Sequence, residues 1–548
     1  MPLDHARTIT TALRGAIDTA VGHLAQQVEK DGRVSVAKLD QYQTVAYDLA
    51  TMASSVAAAE HLIDYGTHGD REARLALVYA ADVMAELLGR FGGREQHLGL
   101  APGHLHAAAD AFDAGRDPTF LAALGEEVTR DGEAGPRHLT EDFEMVRDTF
   151  RRFAEEQVMP IAEHIHRNDD DIPDAIINGL SEMGCFALSI PSEYGGFAEG
   201  GPDELLNMVL VTEELSRGSL GVAGSLITRP EIIGTAILKG GTEDQKQTWL
   251  PRIASGEVMC GVAVTEPDYG SDVAGVKLTA TRDGDDWVLN GVKTWCTFGG
   301  RANYLLVMAR TDPDRSKGHR GLSLFVVEKP SFPGHAWSLT QDATADGTVA
   351  TMDAKAIPTL GYRGMHSFEI AIENWRVPHS ALIGEDAGLG KGFYLQMQAF
   401  SNARLQTAAR ALGVMQAALE QAATYTQARS LFGAPLADYE LTKTKLARMA
   451  AHIAANRAYA HAVARMLATG TGQLDASQVK QLSCRTAEWV TREAQQFHGG
   501  YGYAEEYTVS RLFVDARVLS IFEGADETLA LRVIARQLLD NALAATAA

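Results

Sequence analysis

The sequence predicts a mostly α-helical chain with one central antiparallel β domain, laid out as α, linker, α, β, α. Three observations predict it. Residues 1–120 and about 390–545 carry apolar residues at helical spacing, and the second stretch is Ala-rich and almost free of proline. Between about 258 and 378 the pattern changes to short runs rich in Val, Leu, Ile and aromatics, bounded by Gly, Asp, Asn or Pro. The stretch "LGEEVTRDGEAGPRHLTED" (124–142) is charged and carries Gly and Pro, which marks a linker. The expected domains are therefore 1–123, a linker over 124–140, then 141–257, 258–380 and 381–548.

In the first domain, "LDQYQTVAYDLATMASSV" places Tyr42, Val45, Leu49, Met52 and Val56 three and four apart, which draws one helix face. Residues 141–255 are helical again, interrupted by "IPSEYGGFAEGGPDE". In the β domain "DWVLNGVKTW", "NYLLVMART", "GLSLFVVEKP" and "FEIAIENWRVP" read as antiparallel strands. An internal echo links the two ends: "LDQYQTVAYDLATMASSVAA" (39–58) matches "LADYELTKTKLARMAAHIAA" (436–455) at Leu39/Leu436, Tyr42/Tyr439, Leu49/Leu446 and Met52/Met449, besides four alanines. It predicts that the N-terminal domain is a remnant copy of the C-terminal bundle. The close of the chain, "VLSIFEGADETLALRVIARQLL", puts Glu523 between Phe522 and Gly524 at the entry to what reads as an ordinary amphipathic helix.

Composition narrows the function. A formal charge of −22 over 548 residues disfavours nucleic acid or anionic membrane as the main partner. The cysteines Cys185, Cys260, Cys296 and Cys484 are scattered, as expected of reduced thiols in a cytoplasmic protein. No apolar run is long enough for membrane insertion. "GEDAGLGKGF" (384–393) and "GGYGY" (499–503) follow no strand of a βαβ unit and fit neither dinucleotide nor phosphate-loop spacing, so they read as turns and caps.

The block "GVAVTEPDYGSDVAGVKLTATRDGDDWVLNGVKTWCTFGGRANYLLVMART" (261–311) resembles the flavin-binding middle domain of the acyl-CoA dehydrogenases. The resemblance extends, in the family's order, through "IPSEYGG" (190–196), "GTEDQKQTWLPRIASGE" (241–257), "RVP" (376–378), "YTQARSLFG" (425–433) and "HGGYGYAEEYTVSRLFVDARVLSIFEG" (498–524). It covers about 140–545 and implies the family's α/β-barrel/α architecture, preceded here by an extra N-terminal helical domain. It further implies FAD as cofactor, an acyl-CoA substrate, and electron-transferring flavoprotein as electron acceptor.

The resemblance also assigns site residues, position by position. Val264 and Thr265 are expected against the flavin ring, Ser271 near its pyrophosphate, and Trp295 and Thr297 beside the flavin. Arg429 matches the Arg that reaches the pyrophosphate of the neighbouring subunit, as suits a bidentate phosphate donor. Phe432, Gln496, Gly499 and Gly500 match other positions of that shared site. Arg404 and Gly524 are expected beside the acyl-CoA. Glu523 matches the catalytic base, which takes the C2 proton while a hydride leaves C3. Its backbone N–H and a ribityl hydroxyl are implied to polarise the thioester oxygen. Two positions depart from the family pattern: Glu440 replaces a Gln near the adenosine, and Ala525 replaces a Thr or Ser after the base.

With its helical N-terminal domain ahead of a full dehydrogenase, the chain resembles a branch of the family, and the resemblance implies a short, branched, dicarboxylic acyl-CoA as substrate. Such a substrate calls for a cation, and Arg229 in "SLITRPEIIG" is the candidate. A homo-oligomer is implied because each flavin site needs two subunits, and the added domain predicts a dimer. The alternatives are another short- or medium-chain dehydrogenase, an acyl-CoA oxidase, or a nucleic-acid-binding relative of the fold, which the charge and the presence of Glu523 oppose.

Overall fold

The computed structural model describes residues 1–343 and 347–547. They form two compact units, one of residues 1–145 with 407–548 and one of residues 146–406.

In the first unit the N-terminal extension packs onto the C-terminal bundle. Helix Gln43–Tyr65 shows how far that packing goes. Every residue from Asp48 to Ala59 is buried, so the helix is surrounded, and the single face drawn from its periodicity is too narrow. Its neighbours are helices of both ends, Asp70–Phe91 and Glu440–Ala468 among them. Helix Pro118–Asp131 also lies against Glu440–Ala468. Gly125 makes that approach possible, because a Cβ there would come within 1.9 Å of the Lys443 carbonyl oxygen. The same helix occupies the first half of the expected linker, leaving only 132–140 as coil.

Polar contacts fix the seam. Asp82 is buried and pairs with Arg448 at 2.7 Å, His452 at 3.2 Å and Arg116 at 3.4 Å. Ser54 donates to Gln481 at 3.2 Å, and Gln416 donates to the Gly132 carbonyl at 3.0 Å.

The predicted echo is present in three dimensions. Helix Pro2–Val28, a hairpin over 29–34, a 3₁₀ turn and Gln43–Tyr65 follow one another as do Gly392–Ala428, a hairpin over 430–435, a 3₁₀ turn and Glu440–Ala468, except that the N-terminal series inserts the short helix Val36–Leu39 before its 3₁₀ turn. Tyr42 and Tyr439 both stand at the N-cap of the later helix, and Leu49/Leu446 and Met52/Met449 are all buried.

The second unit places a sheet after helices that include Glu204–Gly218, Thr228–Gly240 and Glu243–Ala254. The four predicted strands are found at Asp286–Thr297, Tyr304–Arg310, Leu322–Glu328 and Ser367–Pro378, with four more at Cys260–Ala263, Thr279–Asp283, Ala336–Gln341 and Ala350–Ile357. The sheet is mixed and not purely antiparallel. Cys260–Ala263 runs parallel to Tyr304–Arg310, and Thr279 pairs in parallel with Arg310. The reason is connectivity: two strands of the sheet intervene between 263 and 304, so the chain can return in the same direction. Local alternation specifies a strand but not its partner. The glycine stretches are turns as expected, 3₁₀ at Glu385–Gly388 and at Gly499–Tyr503. No helix among the described residues is long and apolar enough to cross a membrane.

Candidate active site

Glu523 sits in the left-handed region at φ 55°, followed by Gly524 at φ 98°. A non-glycine residue is rarely held there, and such strain persists only where the surroundings fix it. They do. Lys480, itself buried, donates to the Gly524 carbonyl at 2.6 Å. A Cβ on Gly524 would lie 2.9 Å from Leu529. Ala525 cannot cap the next helix as a Thr or Ser would, and the Asp526 N–H turns back instead to the Ser520 carbonyl at 3.1 Å.

The segment after Glu523 is not the regular helix expected from its apolar spacing. A single turn at Asp526–Thr528 widens into a π-helix at Leu529–Ala535 before Arg536–Ala547 resumes the α form. Leu529, Ala530, Ile534 and Ala535 are its buried residues, two pairs spaced by five, and the i+5 period keeps both pairs on the core side.

The Glu523 carboxylate is mostly enclosed, with 8% side-chain exposure, and lies 3.7 Å from the guanidinium of Arg410. Arg410 is fully buried, stands 4.7 Å over the Phe522 ring and donates to Thr407 at 2.6 Å. Motif order alone does not single it out. A second arginine inside the Ala-rich run "RLQTAARALG" is the available signal, because a charge at a core position needs a partner.

Within the same unit Arg429, Gln496, Gly499 and Gly500 line one cavity of about 550 Å³, together with Tyr425, Lys445 and His498. Tyr425 stacks on His498 at 4.0 Å. Burial holds the His498 imidazole below its ordinary pKa, partly offset by its bond to the Ala494 carbonyl. Arg429 is exposed, and its guanidinium has no carboxylate partner among the described residues. Phe432 stands at the tip of the hairpin, 99% exposed and at φ 51°. An aromatic presented to solvent on a two-residue turn is suited to entering another surface. Glu440 is the first residue of its helix, where its charge complements the helix dipole.

In the second unit, the segment 264–266 is bound to strand Asp286–Thr297 by a buried pair whose two members both lie in the 261–311 block. Lys293, fully buried, donates to Glu266 at 2.8 Å and to the Val264 carbonyl at 3.0 Å. Burial drives the Lys293 pKa down against the pull of Glu266. Glu266 also accepts the backbone N–H groups of Lys277 and Leu278, at 2.7 and 2.8 Å. Val264 turns its side chain into the core, whereas Thr265 is half-buried and its carbonyl accepts the Thr294 N–H at 2.9 Å. Trp295 is 54% exposed at φ 56°, so it is not a core tryptophan. Thr297 is buried and shares a 3.0 Å hydroxyl contact with Ser367. Ser271 lies in an exposed loop. A strained, outward Trp beside a half-buried Thr, on a strand pinned from behind, fits a planar ring laid along this strand. The cavity rimmed by Arg429 and two glycines fits a phosphate-bearing chain.

Arg229 is buried, not a surface arginine. It donates to the Tyr362 hydroxyl at 2.9 Å and to the Ser225 carbonyl at 3.4 Å. Tyr362 is another non-glycine residue at positive φ, 60°. Arg404 is half-buried on helix Gly392–Ala428.

Comparison with known proteins agrees with this fold. The N-terminal, middle and C-terminal domains described for acyl-CoA dehydrogenases match residues 140–257, 261–374 and 390–539. The (2S)-methylsuccinyl-CoA dehydrogenase of Cereibacter sphaeroides is 40% identical over 542 residues, 95% of each chain. The glutaryl-CoA dehydrogenase of Desulfococcus multivorans is 32% identical over 71% of this chain and 94% of its own. Butyryl-CoA dehydrogenase from Megasphaera elsdenii superposes with a TM-score of 0.66 at 30% identity, over 74% of this chain and all of that one. A glutaryl-CoA dehydrogenase from Mycobacterium smegmatis in complex with FADH2 does so at 0.62 and 27%, over 73% and 95%. Likeness along nearly the whole chain, a matching fold and residues that fit the cofactor lead to one conclusion: this chain belongs to the acyl-CoA dehydrogenase family, FAD-dependent enzymes that desaturate acyl-CoA thioesters.

Proposed function

We propose that the protein oxidises (2S)-methylsuccinyl-CoA to mesaconyl-CoA, with Glu523 as the base. The observation that carries this is the extent of the 40% likeness, 95% of both chains, which includes the N-terminal extension. The butyryl-CoA dehydrogenase and glutaryl-CoA dehydrogenase relatives cover only about three quarters of this chain. The buried Arg229 supports a substrate that brings its own carboxylate, since burying that charge unpaired would cost several kcal/mol.

Trp295, Thr297, Thr265 and the edge of the 264–266 segment hold the ring system in this reading. Arg429, Gln496, Gly499 and Gly500 receive the pyrophosphate end. FAD, when bound, supplies the acceptor for the hydride that leaves C3. Glu523 takes the proton from C2, and the electrons of that bond become the C2=C3 double bond. The Glu523 N–H donates to the thioester oxygen and so acidifies the C2 proton. The left-handed backbone at Glu523 fixes the directions of this N–H and of the carboxylate together. Arg410 sets a buried positive charge beside the carboxylate. Electron-transferring flavoprotein is the proposed acceptor, and a homodimer the proposed assembly, because the N-terminal copy covers faces of the C-terminal bundle that a further dimer would otherwise meet. A tetramer in light scattering would count against the dimer.

The test is anaerobic mixing of the FAD-loaded protein with methylsuccinyl-, butyryl-, glutaryl- and octanoyl-CoA while flavin absorbance is followed. Methylsuccinyl-CoA should bleach the flavin fastest. Arg229→Ala should lose this activity by roughly a hundredfold or more while retaining butyryl-CoA turnover. A wild-type preference for straight chains would overturn the substrate assignment. Oxygen-dependent turnover without an added acceptor would favour the oxidase reading.

A further inference from the structure

Asp169, His335 and His366 form the one group of three His, Cys or acidic side chains among the described residues whose ligand-type atoms all lie within 4.8 Å of one another. They come from three separate segments of the second unit. Asp169 is the C-cap of helix Met159–Asn168, His335 immediately precedes strand Ala336–Gln341, and His366 immediately precedes strand Ser367–Pro378. We propose that this trio binds one divalent transition-metal ion, with Asp171 as an outer carboxylate.

Geometry argues for it first. His335 Nε2 lies 3.3 Å from one Asp169 oxygen, and His366 Nδ1 lies 3.7 Å from the other. Ligands of a tetrahedral ion at about 2.0–2.2 Å are separated by roughly 3.3–3.6 Å, so little movement is needed. The two imidazoles are already together, with ring centroids 4.4 Å apart.

The state of His366 is the second argument. It is 7% exposed, and its buried Nε2 makes no hydrogen bond, although an Asp171 oxygen lies 3.3 Å away. A buried polar atom so close to a carboxylate and yet misaligned is costly. An ion on Nδ1 would fix the proton on Nε2, and a slight ring rotation would aim it at Asp171. That is the usual arrangement of a metal-bound histidine backed by a carboxylate. Asp171 is itself anchored, since it accepts the Gly334 N–H at 2.5 Å. Backbone strain marks the same point: Asp169 is at φ 55° and His366 at φ 32°.

Arg363 also faces Asp169, with Nε 3.8 Å from one oxygen, and would share that carboxylate with the ion. Two imidazoles and a carboxylate suit Zn²⁺ or Co²⁺ better than Mg²⁺ or Ca²⁺, which prefer all-oxygen sites. The 53% exposure of the His335 side chain gives the ion an entry path and leaves room for a water as fourth ligand. The ion would act as a brace. The His366 carbonyl accepts the Phe298 N–H at 2.8 Å, and Ser367 meets Thr297, so the site lies directly behind the end of the strand that carries Trp295.

The test uses the full-length, FAD-loaded protein stripped with a chelator and titrated with Co²⁺, read by calorimetry and by ligand-field absorption. Wild type should take up one equivalent with N/O-ligand bands, and Zn²⁺ should raise its Tm. His335→Ala, a change at an exposed residue that leaves the core intact, and Asp169→Asn should each weaken the site at least about tenfold and abolish the Tm shift. Asp171→Asn should weaken it by roughly 10–100-fold. Equal uptake by wild type and His335→Ala, or no saturable uptake by wild type, would overturn the proposal.

Discussion

The N-terminal bundle runs from helix Pro2–Val28 through a hairpin whose turn is Asp31-Gly32, and the C-terminal bundle from Gly392–Ala428 through one whose turn is Phe432-Gly433. Both turns use two successive residues at positive φ, 54° and 77° in one, 51° and 91° in the other. Just before the hairpin stand Val28, buried, and Arg429, exposed. At the tip stand an Asp and a fully exposed Phe. The later helices of the two copies bury the same register of Leu, Met and Ala. What the two copies share is therefore what packing requires, and what separates them is the set of residues proposed to meet a ligand. The N-terminal copy lacks those residues while keeping a surface that packs on its sister. It also keeps a hand in the site: Tyr47 donates to Asp526 at 2.5 Å, three residues beyond Glu523, and receives a bond from Arg485 at 2.9 Å.

Four experiments test this contrast. The largest effect should come from Glu523→Gln, which removes the group proposed to take the proton. Flavin reduction should fall by about 10²–10⁴-fold or more, whereas Glu29→Gln in the other hairpin should leave it unchanged in stopped-flow traces. Asp82→Ala, at the seam between the copies, should cost about 1–3 kcal/mol by denaturant unfolding, because it removes the buried carboxylate that holds Arg448 and His452, which keep part of their contact with water. Burial alone would raise the Asp82 pKa, but its contacts with His452 and Arg448 outweigh that and hold it below the usual carboxylate value. A depressed pKa in the folded state means that its stabilisation is complete above the unfolded value of about 4 and fades as pH falls below it. Acid unfolding of the wild type should therefore show a decline in this range that Asp82→Ala lacks.

Arg429→Ala should weaken FAD retention by roughly 10–100-fold, the worth of a charge-assisted bond, while Arg33→Ala should not change it in dialysis. The smallest effect belongs to Tyr47→Phe. Loss of one hydrogen bond, about 1 kcal/mol, should lower kcat several-fold with KM and FAD content intact. Burial and the neighbouring Asp526 push the Tyr47 hydroxyl up to about 12, so it remains a donor throughout the working pH range. An unchanged kcat would reduce the N-terminal copy to a packing element.

Much of the fold, and the list of candidate site residues, is legible in the sequence. The strand runs, the glycine turns, the copy at 39–58 and the positions of Trp295, Arg429 and Glu523 all come from local pattern or from motif order. The partners of Arg410, Tyr47 and Lys293 are not legible, because each lies 27 to 479 residues away in the chain. The expected linker and the one-faced helix fail for a related reason: periodicity reports which residues are apolar, not how many sides are covered.

The order of helices and strands, the family chemistry and the duplicated register are properties of the sequence alone, since they rest on spacings of a few residues and on motifs read in line. Packing in three dimensions was needed to make the sheet mixed, to widen the helix after Glu523 into a π turn, and to bury Arg229 against Tyr362. Each of these depends on which surfaces meet, and burial, pairing direction and charge partnership are properties of the meeting, absent from either segment alone.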